Sequence, residues 1–205
     1  MKIESDKINF SKIDDHISMI YHETDIIKFW TGAIKAPFGV DENFGKHYIR
    51  LELDESIKKH GFFKKIISKM ESIVSKKLDL KEGDLKPIAR RKIGEHDLLD
   101  IRLKEVKGKI QTECVYENVR DSYLKTIYEI EPNSMIDVYV EIHGIWDYRQ
   151  KDNSSTLGII GKRKLPNEEV MKFKEDQEVK KVGLIVNALK IKVLDIQKPI
   201  EYSIA

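Results

Sequence analysis

Apolar and polar residues alternate most regularly between Met135 and His143. Ile136, Val138, Val140 and Ile142 fall on one face, Asp137, Tyr139, Glu141 and His143 on the other, and the run leads into Gly144-Ile145-Trp146. Period two over this length predicts an antiparallel strand with one face on a core and the other open to solvent or a ligand. A second apolar run, Val182 to Leu194, predicts a strand that pairs back onto it, with Pro199 ending the segment. Tyr48 to Leu53 predicts another strand, Ile49, Leu51 and Leu53 facing away from Tyr48, Arg50 and Glu52. Between Gly61 and Leu78 the period changes: Phe63, Ile66, Ile67, Met70, Ile73 and Val74 form the stripe of an amphipathic helix. Its other side holds Lys64, Lys65, Lys69, Lys76 and Lys77, with Lys58 and Lys59 just before it. That is the pattern of a solvated helix face, which would also add to a positive field.

Shorter alternations over Ile88 to Ile93, Leu99 to Lys104, Lys109 to Tyr116 and Thr126 to Ile130 predict further strands. Turns are marked by Pro37-Phe38-Gly39, by Lys107-Gly108 in a hairpin and by Asn133-Ser134. Residues 1–28 are polar and weakly patterned, which predicts a loosely attached arm or a short edge element. Residues 147–181 form a long polar connector of mixed charge, including Arg149, Lys162, Arg163 and Lys164 against Asp152, Glu168, Glu169 and Glu175. A connector of that length between two strong strands is mobile or functional.

One helix among five to seven strands predicts a mainly β (α+β) chain. The expected architecture is an oligonucleotide/oligosaccharide-binding (OB) barrel of five or more antiparallel strands, with one amphipathic helix and a long basic connector. A sandwich would not ordinarily carry such a helix. The expected organisation is an arm over residues 1–28 and one OB-fold domain over residues 29–205.

Composition narrows the class. The 205 residues are 40% hydrophobic, enough for a core. Thirty-seven Lys and Arg against 35 Asp and Glu leave +2, so the net charge does not announce a polyanionic partner; only the placement of cations could. The lone Cys114 allows no internal disulfide and fits a reducing compartment, and its place in a strand reads as an inert thiol. No secretory leader and no apolar run near the roughly 18–20 residues of a membrane span is present, so a soluble intracellular protein is expected. Catalytic signatures fail for want of parts: the histidines are scattered, and no phosphate loop, nucleophile elbow or His-Glu-x-x-His occurs. Glu95-His96-Asp97 is an isolated carboxylate–imidazole cluster in a turn. His143 has no second His or Cys at ligand spacing. The chain is therefore expected not to be an enzyme and to carry no cofactor or metal.

The order Pro37-Phe38-Gly39, Lys46 to Leu53, the helix from Phe63, Val138 to Trp146, and Val182 to Val193 resembles the single-stranded DNA-binding proteins of large double-stranded DNA viruses and T7-like phages. The resemblance covers residues 36–196, and the connector at 147–181 is longer than that family's pattern. It implies an OB fold that coats single-stranded DNA during replication, recombination and repair. Its implied partners are the strand, replication proteins such as polymerase and helicase or primase, and further copies of the chain. Its implied place is host cytoplasm, viral factory or nucleus.

Binding of that kind needs cations for phosphates and aromatic faces for bases. Strand parity offers Tyr48 and Arg50, Arg102 with Lys104, and Tyr139 with His143, all on outward faces. Arg90, Arg91 and Lys92 lie in a row, and Lys162, Arg163 and Lys164 fall in the connector. Tyr139 fits a base platform and ordinary sheet packing equally. Trp146 shares parity with the buried side of its strand, which favours a core anchor over a stacking ring. Trp30 stands in a segment without pattern, and its role stays open. Two rivals remain: a protein-interaction module of a viral replication, transcription or virion assembly, favoured by the near-neutral charge, and an RNA-binding OB protein.

Overall fold

The computed structural model describes residues 3–43, 45–91, 96–117, 126–149 and 182–195. In chain order its strands are β1 (Ile8–Lys12), β2 (Ile17–His22), β3 (Ile27–Ala36), β4 (Val40–Asn43) and β5 (Lys46–Leu53). After helix α1 (Lys58–Lys77) come β6 (Leu85–Lys86), β7 (Ala89–Arg91), β8 (Asp97–Leu103), β9 (Glu105–Val106), β10 (Lys109–Ile110) and β11 (Glu113–Tyr116). The two longest strands, β12 (Ser134–Asp147) and β13 (Val182–Asp195), complete the set.

Five of these close on themselves in the spatial order β12–β3–β5–β8–β13–β12. Numbered by their order in the chain, the barrel strands run 4-1-2-3-5-4, and the third and fifth, β8 and β13, are the one parallel contact in the ring. This is the Greek-key barrel of the OB fold, so the chain is mainly β with one helix. The inward face is aliphatic: Ile49 and Leu51 on β5, Leu99, Ile101 and Leu103 on β8, Ile136, Val138, Val140 and Ile142 on β12, and Ala188, Ile191 and Val193 on β13 are all buried. α1 lays Phe63, Ile66, Ile67, Met70, Ile73 and Val74 inward, and Phe63 meets Phe29 of β3 edge-on at 5.2 Å between ring centroids.

Among the register slips along β12, two decide which side chains of β3 and of the far end of β12 face out. Between Asp137 and Tyr139 the register with β3 slips. There the Val138 N–H donates to Thr31 Oγ1 at 3.0 Å, and the Gly32 N–H donates to Asp137 Oδ1 at 2.9 Å. The second slip, between Ile142 and Gly144, makes His143 an extra residue. Because side-chain direction has period two, one extra residue exchanges the faces of everything after it. Ile145 therefore turns inward, and Trp146 turns out.

Within residues 1–28, where the sequence predicts a loose arm or a short edge element, the structure has a hairpin at the margin of the sheet. β1 and β2 pair antiparallel, and β2 extends the sheet by pairing with Gly144 to Trp146 of β12. Ile8 and Ile20 are fully buried, and Ile3 nearly so. Asp14 shapes the turn, its carboxylate accepting from the His16 and Ile17 N–H groups at 2.7 and 2.8 Å. Thr126 to Ile130 is no strand: it forms a 3₁₀ turn, Ile127–Glu129, whose buried residues Ile127 and Ile130 are three apart. The hairpin at Lys107-Gly108 is present as β9–β10, both residues at positive φ (51° and 73°) as a type I′ turn requires.

Candidate functional site

The outer wall of the barrel can be read pair by pair. Along the ladder of β12 and β13, Asp137 stands opposite Lys192, Tyr139 opposite Lys190, Glu141 opposite Asn187, Gly144 opposite Ile185 and Trp146 opposite Gly183. β8 sets Arg102 beside Asn187, and β5 sets Tyr48 opposite Arg102 and Arg50 opposite Asp100. Residues predicted from separate strands thus share one face.

A groove opens in this wall because β8 and β13 touch only at Arg102–Leu103 and Asn187–Ala188. Beyond that contact the segment Lys86-Pro87-Ile88 borders the opening, its Lys86 held against Gly183 by the short β6–β13 pairing. Tyr48, Arg50, Asp100, Arg102, Trp146 and Gly183 to Val186 line the rest, with Asp41 at one side. Tyr48, Arg102 and Trp146 are each half-buried, so their faces are held in place yet still reach solvent.

Local chemistry positions each group. Arg50 Nε donates to Asp100 Oδ1 at 2.6 Å, and its guanidinium lies 5.2 Å from the centroid of the exposed Phe38 ring. Arg102 makes no ion pair with any described residue. Trp146 rests on Gly183, where a Cβ atom would come within 2.5 Å of the indole; only glycine leaves room for the ring there. Tyr148 extends the aromatic surface, its ring 5.6 Å from Trp146 and 4.9 Å from His16. With Asp41 and Asp100 set against Arg50, Arg102 and Lys86, the groove is cationic only by a small margin.

Next to the groove the wall carries a buried carboxylate. Glu141 is 2% exposed. Burial alone would raise its pKa, but the hydrogen bond from Asn187, the His143 ring 3.4 Å away and the charge of Lys104 outweigh that and hold it at about 2. Asn187 Nδ2 donates at 3.1 Å, and Lys104 Nζ lies 3.5 Å away. Farther along, the Tyr139 ring packs against Trp30 of β3, with centroids 5.1 Å apart and planes tilted by 30°.

Tyr48, Arg50, Arg102 and Trp146 are therefore brought together, and Tyr139 shares their wall some distance along it. For Arg90 and Arg91 only the backbone is described: both lie on β7, paired with Leu98 and Asp97. Lys92, Lys162, Arg163 and Lys164 lie outside the described residues, as do Pro199, Glu95 and most of the 147–181 connector. The sequence reading that set Trp146 in the core fails because parity was counted through the bulge at His143. Residues it missed include Phe38, exposed in the turn before β4, and Lys86, whose two-residue strand is too short to carry a pattern. Cys114 is half-buried, and burial pushes its thiol up to about 11, which matches an inert group. Among the described residues no helix is long and apolar enough to cross a membrane.

No protein-family model matches the sequence, and no curated protein matches it. Among solved structures, the chain is similar to the C-terminally truncated single-stranded DNA-binding protein from bacteriophage Enc34. That alignment has a TM-score of 0.45 at 12% identity and covers 96% of this chain and 98% of that chain. The untruncated phage protein gives 0.45 at 12% identity over 97% and 96%. The same phage protein in complex with ssDNA gives 0.44 at 11% identity over 95% and 98%.

Proposed function

We propose that this chain binds single-stranded DNA across the outer wall of its barrel, with little regard for base sequence. The observation that carries this reading is the groove, where aromatic and cationic side chains from β5, β8, β12 and the β6 segment converge. Tyr48 and Trp146 offer ring faces to unpaired bases, and base–aromatic stacking is indifferent to base identity because every base has a π-face. Arg102, Lys86 and Arg50 take phosphates, Arg50 by exchanging Asp100 for the strand. Arg90, Arg91 and Lys92, with Lys162, Arg163 and Lys164, extend the phosphate path in this reading.

A duplex hides its bases, so a surface of this kind favours single strands. The similar phage protein is named for that activity, and one of its structures was solved with ssDNA. In a cell or virion factory the role would be to coat exposed strands during replication, recombination and repair, in company with polymerase, helicase or primase.

Fluorescence polarisation with labelled oligo-dT, its duplex and the matching RNA, at several salt concentrations, tests the reading. The expected result is preference for single strands and a log–log salt slope of about −0.7 for each phosphate contacted. RNA binding as tight as DNA would move the assignment to an RNA-binding protein. Duplex bound as tightly as single strands would remove stacking from the account. No binding at low salt would leave the wall as a protein-docking surface.

A further inference from the structure

Trp30 is 41% exposed on β3, an uncommon place to leave an indole, and its surroundings are specific. Tyr139 lies opposite it in register and packs against it at 5.1 Å. The ammonium of Lys192 sits 4.8 Å from the Trp30 ring centroid. Lys190, the ladder partner of Tyr139, stands beside them, paired with Glu113 at 2.9 Å. Two rings and a cation held over one of them are the components that grip a base and its phosphate.

We infer that Trp30, Tyr139 and Lys192 form a second base platform, so that one strand spans this trio and the groove on the same molecule. The inference rests on the single-strand reading above and adds to it a footprint and three residues. From the Tyr139–Lys190 pair to the Trp146–Gly183 pair the outward face passes through three steps of the ladder, about 20 Å at ~3.3 Å per residue. That span takes several nucleotides of an extended strand. Between the platforms lie Glu141 and Asn187, with Lys104 close by. In the free protein Lys192 rests on the indole. When a base takes that place, the ammonium is released to the adjoining phosphate.

Oligo-dT of increasing length, titrated into wild type and Trp30→Ala, separates this inference from the reading beneath it. Wild-type affinity is expected to climb until the strand reaches both platforms and then level off. Trp30→Ala is expected to lose roughly five- to a hundred-fold on long strands, the range of one base–ring stack, and to level off at a shorter length. Trp30→Phe should recover most of the loss, which a general folding defect would not allow. Lys192→Gln should lower the magnitude of the salt slope by about 0.7. In Trp146→Phe protein, where Trp30 is the remaining tryptophan, saturating long dT should quench the emission. If wild type binds dT but Trp30→Ala keeps its affinity at every length, or if Trp30 emission ignores the long strand, the second platform is wrong while the groove stands. If wild type binds no strand of any length, the underlying reading has failed.

Discussion

The lysines of α1 and the cations of the groove wall differ in what holds them. On the helix, Lys64 is bound by Glu55 and Asp97, Lys69 donates to the Ile3 carbonyl, and Lys77 donates to the Ile8 carbonyl beside the Phe10 ring. These lysines pin the N-terminal segment and the β8 end to the helix; their charge is spent on the fold. On the wall, Arg102 has no described ion partner, Lys192 rests on an indole, and Arg50 is matched to one carboxylate beside an aromatic face. The helix carries more cations and the wall carries fewer, yet the helix lysine beside a ring, Lys77, is tied to a backbone carbonyl, whereas the wall sets Lys192 and Arg50 against exposed rings. For a chain of net charge +2, the setting of each cation says more about a polyanionic partner than the total does.

The comparison can be broken most forcefully under the helix. Phe63→Ala removes a fully buried ring from the α1–β3 contact and should cost about 3–5 kcal/mol of stability. Urea unfolding would register that loss, while protein still folded at low temperature should bind dT with an unchanged salt slope. Tyr48→Ala should do the opposite. Its half-buried ring contributes little to the core, so the urea midpoint should stay near wild type while dT affinity falls by about 1–3 kcal/mol. A large fall in stability without a fall in binding would make Tyr48 a packing residue.

A smaller effect concerns pH. Glu141 has its pKa held at about 2 in the folded chain against an ordinary 4.5. A depressed carboxylate contributes stability that is complete above its unfolded value and is lost as pH falls from about 4.5 toward about 2. Wild type should therefore lose more stability between about pH 6 and about pH 3 than Glu141→Gln does. Identical pH profiles would mean that the hydrogen bonds to Glu141 contribute nothing to the fold.

Much of this was legible along the chain, and the failures have physical causes. β5, β8 and α1 carry uninterrupted periodicities, and β12 does so as far as Ile142, so their inward faces could be read directly; β13, buried on both faces from Val182 to Ala188, could be read only as a strand. β3 could not: Thr31, Gly32 and Ala33 at the bulge break its alternation, and the hydrogen bonds that repair the break come from Asp137 and Val138, over a hundred residues away. β2 mixes apolar residues on its two faces, Ile17, Met19 and Tyr21 on one and Ile20 on the other, and only Ile20 is fully buried. In the candidate site, Tyr48, Arg50 and Arg102 followed from parity. Trp146 did not, since one extra residue at His143 reversed it, and Trp30 did not, since its partners Tyr139 and Lys192 meet it only through strand pairing. Local pattern determines faces; it cannot determine which faces adjoin.

Two charge-neutralised proteins give the most direct test of whether the wall carries the strand. One replaces Arg50, Lys86 and Arg102 with glutamine, and the other replaces Lys58, Lys65 and Lys76 on the exposed side of α1. The measured quantity is the slope of log affinity for dT against log salt. The wall variant should lose about 2 in slope magnitude, at ~0.7 per cation removed, while the helix variant keeps the wild-type slope. A helix variant that loses the slope, beside a wall variant that keeps it, would contradict the account.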